Sequence, residues 1–133
     1  MTVYYSDTSI WLDIIEERQP HYSCTMELVA KIILRNDTAL LSDVLIKEFT
    51  ALGYSMIQIH AIMDTLGLTV KRAHHTRMEL EEMRRVGQRV DVPMKDILHA
   101  IVARDNDAIL VSRDRHFRQI AHITKAFIPE NLE

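Results

Sequence analysis

With 133 residues, 47% hydrophobic and 26% charged, the chain fits one domain with a real core. A net charge of −3 excludes a global basic field for nucleic acid, and three Gly with three Pro argue against a turn-rich all-β fold. The single cysteine, Cys24, excludes an intrachain disulfide and points to a reducing cytoplasm.

No apolar run approaches the roughly 18 residues of a membrane span, so no membrane partner is expected. Residues 2–6 are β-prone and stop at Asp7-Thr8-Ser9. From Ser9, the residues Ile10, Trp11, Ile14 and Ile15 recur at helical spacing. A second helix fits residues 22–35, with Leu28, Ile32 and Leu34 among its apolar positions, and Asn36-Asp37 breaks it. "TALLS" (38–42) is a short apolar run, best read as a buried strand. Helix returns over 43–52. Ser55 with Gln58 forms a capping-box pattern that opens another helix, closed by Gly67.

Residues 68–73 read as a strand, and Thr76 with Glu79 caps a charged helix reaching about Val86. Pro93 sits where helix starts tolerate proline, and "MKDILHAIVARD" is apolar almost all round, hence buried. A strand over 108–112, a short helix over 115–121 and a strand near 125–128 complete the chain. Strands alternating with helices imply a single α/β domain spanning 1–133, a sandwich around a parallel sheet.

Four carboxylates stand out against this layout. Asp7 follows the first strand and Asp114 the fourth, and open parallel sheets bind ligands outside the carboxyl ends of strands where strand order reverses. Each could equally be a helix N-cap. Glu48 lies among Val44, Leu45 and Leu52 on its helix, where a lone buried carboxylate costs several kcal/mol unless protonated, paired or metal-bound; the plainer reading is a buried ion pair or an acid at the rim of the stripe. Asp96 opens the buried helix, where the helix dipole also favours an acid. Oxygen-rich clusters without cysteine suit Mg²⁺ or Mn²⁺, which activate water for phosphodiester chemistry.

These segments resemble the PIN-domain ribonucleases, and among them the VapC-type toxins of toxin–antitoxin pairs. "YYSDTSIW" resembles the family's first strand and Asp-Thr/Ser-Ser turn, and "SDVLIKEF" the segment carrying its glutamate. "PMKDILHAIVA" and "ILVSRDRHF" resemble the third- and fourth-acid segments. The resemblance covers nearly the whole chain. It implies a three-layer α/β sandwich with a five-stranded parallel sheet, its first and fourth strands adjacent at the centre. Asp7, Glu48, Asp96 and Asp114 become the catalytic, metal-binding quartet, with Ser9 and Ser112 orienting water or carboxylates around Mg²⁺ or Mn²⁺. The implied activity is RNA phosphodiester hydrolysis, in a homodimer restrained by a cognate antitoxin. Many relatives carry another acid just after the fourth; here Arg115, His116 and Phe117 follow Asp114.

Lys47, Arg113 and Arg115 flank the acids and are candidate contacts for RNA phosphates, with solvated surface charge as the plainer reading. His99, one turn from Asp96, is assigned to packing beside the site. His74-His75 lacks zinc-ligand spacing. Met26, Met56 and Met63 are assigned to the core, and Asp13, Asp105 and Asp107 to helix surface and loop. Rival functions are a PIN nuclease of RNA processing without an antitoxin, and a non-catalytic RNA- or protein-binding module. A phosphoacceptor receiver domain is the third, for which Lys125 stands before rather than after its last strand.

Overall fold

The computed structural model describes residues 1–132. In chain order the elements are β1 (Val3–Ser6), α1 (Thr8–Ile15), α2 (Tyr22–Leu34), β2 (Thr38–Ser42), α3 (Asp43–Ala51), α4 (Met56–Leu66) and β3 (Thr69–Ala73). There follow α5 (Arg77–Gly87), α6 (Met94–Asp105), β4 (Ala108–Val111), a 3₁₀ helix (Arg115–Ile120), β5 (Ala126–Phe127) and a second 3₁₀ turn (Pro129–Asn131). The five strands form one all-parallel sheet in the order β3-β2-β1-β4-β5. This is the three-layer α/β arrangement that the resemblance implies, with helices flanking a central sheet.

That order creates the feature that matters. The chain steps outward from β1 to β2 and β3, then returns to lay β4 on the other side of β1. Strand order therefore reverses between β1 and β4, where a crevice opens at the carboxyl ends. Their register runs from Val3 opposite Ala108 to Ser6 opposite Val111, so Asp7 and Ser112 leave the sheet at one level. Every residue of β2 is buried, as an apolar run covered on both faces should be. The edge strand β3 is mostly exposed.

Local signals explain most boundaries. Ser55 with Gln58, and Thr76 with Glu79, form complete capping boxes at α4 and α5. Gly67 closes α4 at φ 77°, and α2 gives way to Asn36 at φ 57°, a left-handed conformation that asparagine tolerates. In α6 every residue from Ile97 to Ala103 is buried; Ala100 and Ala103 are small enough to bring the helix close to its neighbours. It packs on α5, α3 and β4.

Several expectations need correction. The short helix expected over 115–121 is a 3₁₀ helix at residues 115–120, and β5 has only two residues. Pro93 is the N-cap residue of α6, not its first helical residue. Leu34 is 86% exposed because it lies two residues past Ile32, about 200° round the helix from the buried Leu28–Ile32 stripe. Met63 is core and Met26 packs partly against it, but Met56, at the first turn of α4, is exposed. Asp13 is no surface acid: residues Ile10 to Ile14 of α1 are all buried, and its carboxylate pairs with Arg113 and accepts from Thr25.

Candidate metal centre

The crevice begins with Asp7. It caps α1, its Oδ1 accepting from the Ile10 N–H at 3.2 Å and from Ser9 Oγ at 2.7 Å, while Ser112 Oγ donates to Oδ2. The cap and the site are therefore one arrangement rather than rival readings of the same acid. Burial pushes the Asp7 carboxyl up; the Ser112 and Ser9 hydroxyls and the charge of His99 only partly oppose that. Ser112 also links strands: its N–H donates to Phe127 O at 2.9 Å, and its Oγ accepts from the Asp114 N–H at 3.0 Å. The hydroxyl after β4 thus touches both the first and the fourth acid.

Asp114 caps the 3₁₀ helix, accepting from the His116 N–H at 2.9 Å. The short helix turns the His116 ring back, so that Nδ1 lies 3.1 Å from Asp114 Oδ1 and 3.2 Å from Asp96 Oδ2. Asp96 stands in the first turn of α6. Its carboxyl is raised, by burial first and then by the charge of Asp114. Asp96, Asp114 and His116 each offer one ligand atom, all within 4.8 Å of one another, close enough to hold one metal ion. Two carboxylate oxygens that repel one another, with one imidazole nitrogen, are donors suited to a divalent cation. The residues present fit the group.

Glu48 reaches the crevice from α3. It sits at the rim of its stripe rather than inside it, because Leu52 is 55% exposed. Its partner is an interior histidine: His99 Nε2 donates to Oε1, joined by Thr8 Oγ1 at 3.1 Å, with Lys95 Nζ 3.9 Å from Oε2. Burial works to raise the Glu48 carboxyl, but the His99 hydrogen bond and charge, with Thr8 and Lys95, outweigh it and hold it below the usual range. Beneath this pair, Tyr5 Oη meets His99 Nδ1 and Ser42 Oγ, and Ser42 caps α3 by accepting from the Leu45 N–H. Burial drives the Tyr5 phenol upward, so it remains a neutral hydroxyl.

All four expected acids thus come from separate elements to one end of the sheet, but they are not equivalent. Asp96 and Asp114 share the ligand group with His116; Asp7 and Glu48 stand beside it, tied in by Ser112 and His99. Ser9 and Ser112 both bond the Asp7 carboxylate. Lys47 lines a groove beside Glu48, and Arg115 a cavity beside Asp114. Arg113 is already taken, with Asp13 on one side and Glu130 at 2.7 Å on the other. Sequence reasoning overlooked His116, Thr8 and Lys95. His116 carries a legible signal, standing two residues beyond the strand-end acid; Thr8 and Lys95 are next to expected site residues but carry no pattern of their own.

The PIN domain family model matches residues 4–123. The chain belongs to the PIN domain family, whose members are generally nucleases. No curated protein matches it. Among solved structures it is similar to a chain of VapBC2 from Rickettsia felis, bound to a DNA fragment from their promoter. That likeness has a TM-score of 0.64 at 18% identity and covers 96% of this chain and 98% of that one.

Proposed function

We propose that the chain is an endoribonuclease dependent on Mg²⁺ or Mn²⁺, the toxin of a VapBC-type pair, working as a homodimer in the cytoplasm. One observation carries the reading: carboxylates from four separate elements converge at the β1/β4 switch point, two of them offering ligand atoms within 4.8 Å of one another and of His116. A bound divalent ion would activate water and stabilise charge on the scissile phosphate. The chain's own residues prepare the place. Asp96 and Asp114 would supply oxygens to such an ion. Ser9, Ser112 and the Ile10 N–H fix Asp7, and His99 and Thr8 hold Glu48 by Oε1. Oε2 of Glu48, with only Lys95 at 3.9 Å, is left for water.

The surroundings suit an RNA backbone. A cavity of about 450 Å³ beside Asp114 is lined by Arg115, Arg118 and Lys125. These give local positive charge to a chain with net charge −3, the condition a phosphate-binding acidic protein must meet. On the other side of Glu48, a groove of about 440 Å³ runs between α3, α5 and α6, with Val44, Leu80, Met83, Met94 and Leu98 in its walls. Apolar walls between helices suit an amphipathic segment of a partner protein, and we assign the antitoxin there. The fold shared with a VapBC2 chain supports the same pairing.

The deciding experiment incubates the purified protein with structured RNAs, with Mg²⁺, with Mn²⁺ and with chelator, and maps the cut ends. Asp96→Asn serves as the control. Cleavage should require metal and fall by roughly 10²-fold or more in the variant, the scale on which loss of transition-state electrostatics is felt. Unchanged cleavage by Asp96→Asn would trace the activity to a contaminant and sink the assignment. Light scattering should report twice the 15.5 kDa subunit.

A further inference from the structure

The geometry points to His116 as a metal ligand that shifts this centre's preference from Mg²⁺ toward ions that accept nitrogen, Mn²⁺ and Co²⁺ among them; this rests on the metal-nuclease reading above. Three observations converge on the ring. Nδ1 is hydrogen-bonded to Asp96 Oδ2 at 3.2 Å and lies 3.1 Å from Asp114 Oδ1, so an ion that displaced that proton would have the nitrogen and both carboxylates around it. Its backbone is fixed: the N–H is bonded to Asp114, and the next residue, Phe117, is 2% exposed and anchors the 3₁₀ helix. The other nearby imidazole is unavailable, because His99 has one nitrogen on Tyr5 and the other on Glu48.

At this corner of the centre the chain therefore sets a nitrogen donor beside the two carboxylates. The consequence follows from ligand chemistry. Mg²⁺ prefers oxygen, keeps much of its water and gains little from imidazole, whereas Mn²⁺ and Co²⁺ bind imidazole alongside carboxylates, with Co²⁺ the stronger. A ligating imidazole also brings no negative charge to the centre, and hard Mg²⁺ loses more by that than the others do.

Binding of Mn²⁺ to the metal-free protein is followed by loss of the free-ion EPR signal, with Mg²⁺ as competitor. Pulsed EPR then reads nitrogen coupling on the bound ion. Wild type should show ¹⁴N modulation and favour Mn²⁺ over Mg²⁺ by roughly tenfold or more. In His116→Asp the modulation should vanish and the preference narrow, with folding checked by circular dichroism; His116→Asn is a second variant without added charge. Mn²⁺ bound without ¹⁴N modulation, or modulation that survives in both variants, overturns the inference. If Asp114→Asn then still abolishes binding, the metal-nuclease reading stands without it. If wild type binds no Mn²⁺ and cleaves no RNA, both fall together.

Discussion

His99 Nε2 donates to the Glu48 carboxylate from a position only 1% exposed, and Tyr5 Oη closes the ring's other nitrogen. A consistent set of donors runs through this chain. The Leu45 N–H donates to Ser42 Oγ, Ser42 to Tyr5, Tyr5 to Nδ1, and Nε2–H to Glu48. The core of the sheet thus reaches outward to hold one acid of the centre. His99→Leu keeps the volume but leaves the Tyr5 hydroxyl with Ser42 alone and releases Glu48 from its histidine. It should cost about 1–3 kcal/mol in urea unfolding and lower RNA cleavage. A variant as stable and as active as wild type would show that this chain of bonds holds nothing in place.

Much of this was legible in the residues, and the failures have physical causes. The apolar runs "TALLS" and "AILV", the two capping boxes and the breaks at Asn36 and Gly67 are local signals, and local chemistry decided them. The acids at strand ends were legible because sheet topology gives those positions a meaning. Asp13 was not, since its burial depends on Arg113, 100 residues away in sequence. His116 stood in plain view, yet its role depends on a 3₁₀ helix that turns the ring toward Asp96 on another element.

Asp13 and Arg113 also make a prediction about stability. The pair joins α1 to the loop after β4, with Thr25 of α2 and Glu130 as further partners. Asp13 is 5% exposed, so Asp13→Ala leaves a largely buried guanidinium with only Glu130 to balance it. Thermal and urea unfolding should show a loss of about 3 kcal/mol, the lower end for breaking a buried pair because Arg113 keeps some solvent contact. A loss below about 0.5 kcal/mol, the size of a surface substitution, would return Asp13 to the surface.

The same commitment separates the cations. Arg115, Arg118 and Lys125 share the cavity beside Asp114, whereas the charge of Arg113 is spent on two carboxylates. Changing any of the first three to Ala should weaken RNA binding for all sequences alike and reduce the salt dependence by about one counterion each. Fluorescence anisotropy across a salt series, on Asp114→Asn protein to prevent cleavage, measures both. An unchanged salt slope for all three would move the RNA path elsewhere.

The raised carboxyls of Asp7 and Asp96 set the sign of the metal-free protein's pH dependence. Burial, and for Asp96 also the charge of Asp114, lifts both above the usual carboxylate range. The folded state therefore keeps these protons to higher pH than the unfolded chain does. Their contribution is complete below the unfolded pKa and is lost as pH rises through the folded value. Glu48 runs the other way, since its carboxyl is lowered: its contribution is present above the unfolded pKa and lost as pH falls through the folded value. With chelator present, stability should decline from mildly acidic pH toward neutrality and also fall in stronger acid. Asp96→Asn carries no charge at any pH, so near neutrality it should melt a few °C above wild type, a shift of the size about 1 kcal/mol produces in a domain of this length. Below the carboxylate range the two should converge. Mn²⁺ should raise the wild-type melting temperature by mass action and the variant's much less. Calorimetry across pH, with chelator and with metal, tests each step. An Asp96→Asn protein that melts below wild type at neutral pH would mean that His116 already pays for the charge, and that Asp96 is a paired acid rather than one waiting for an ion.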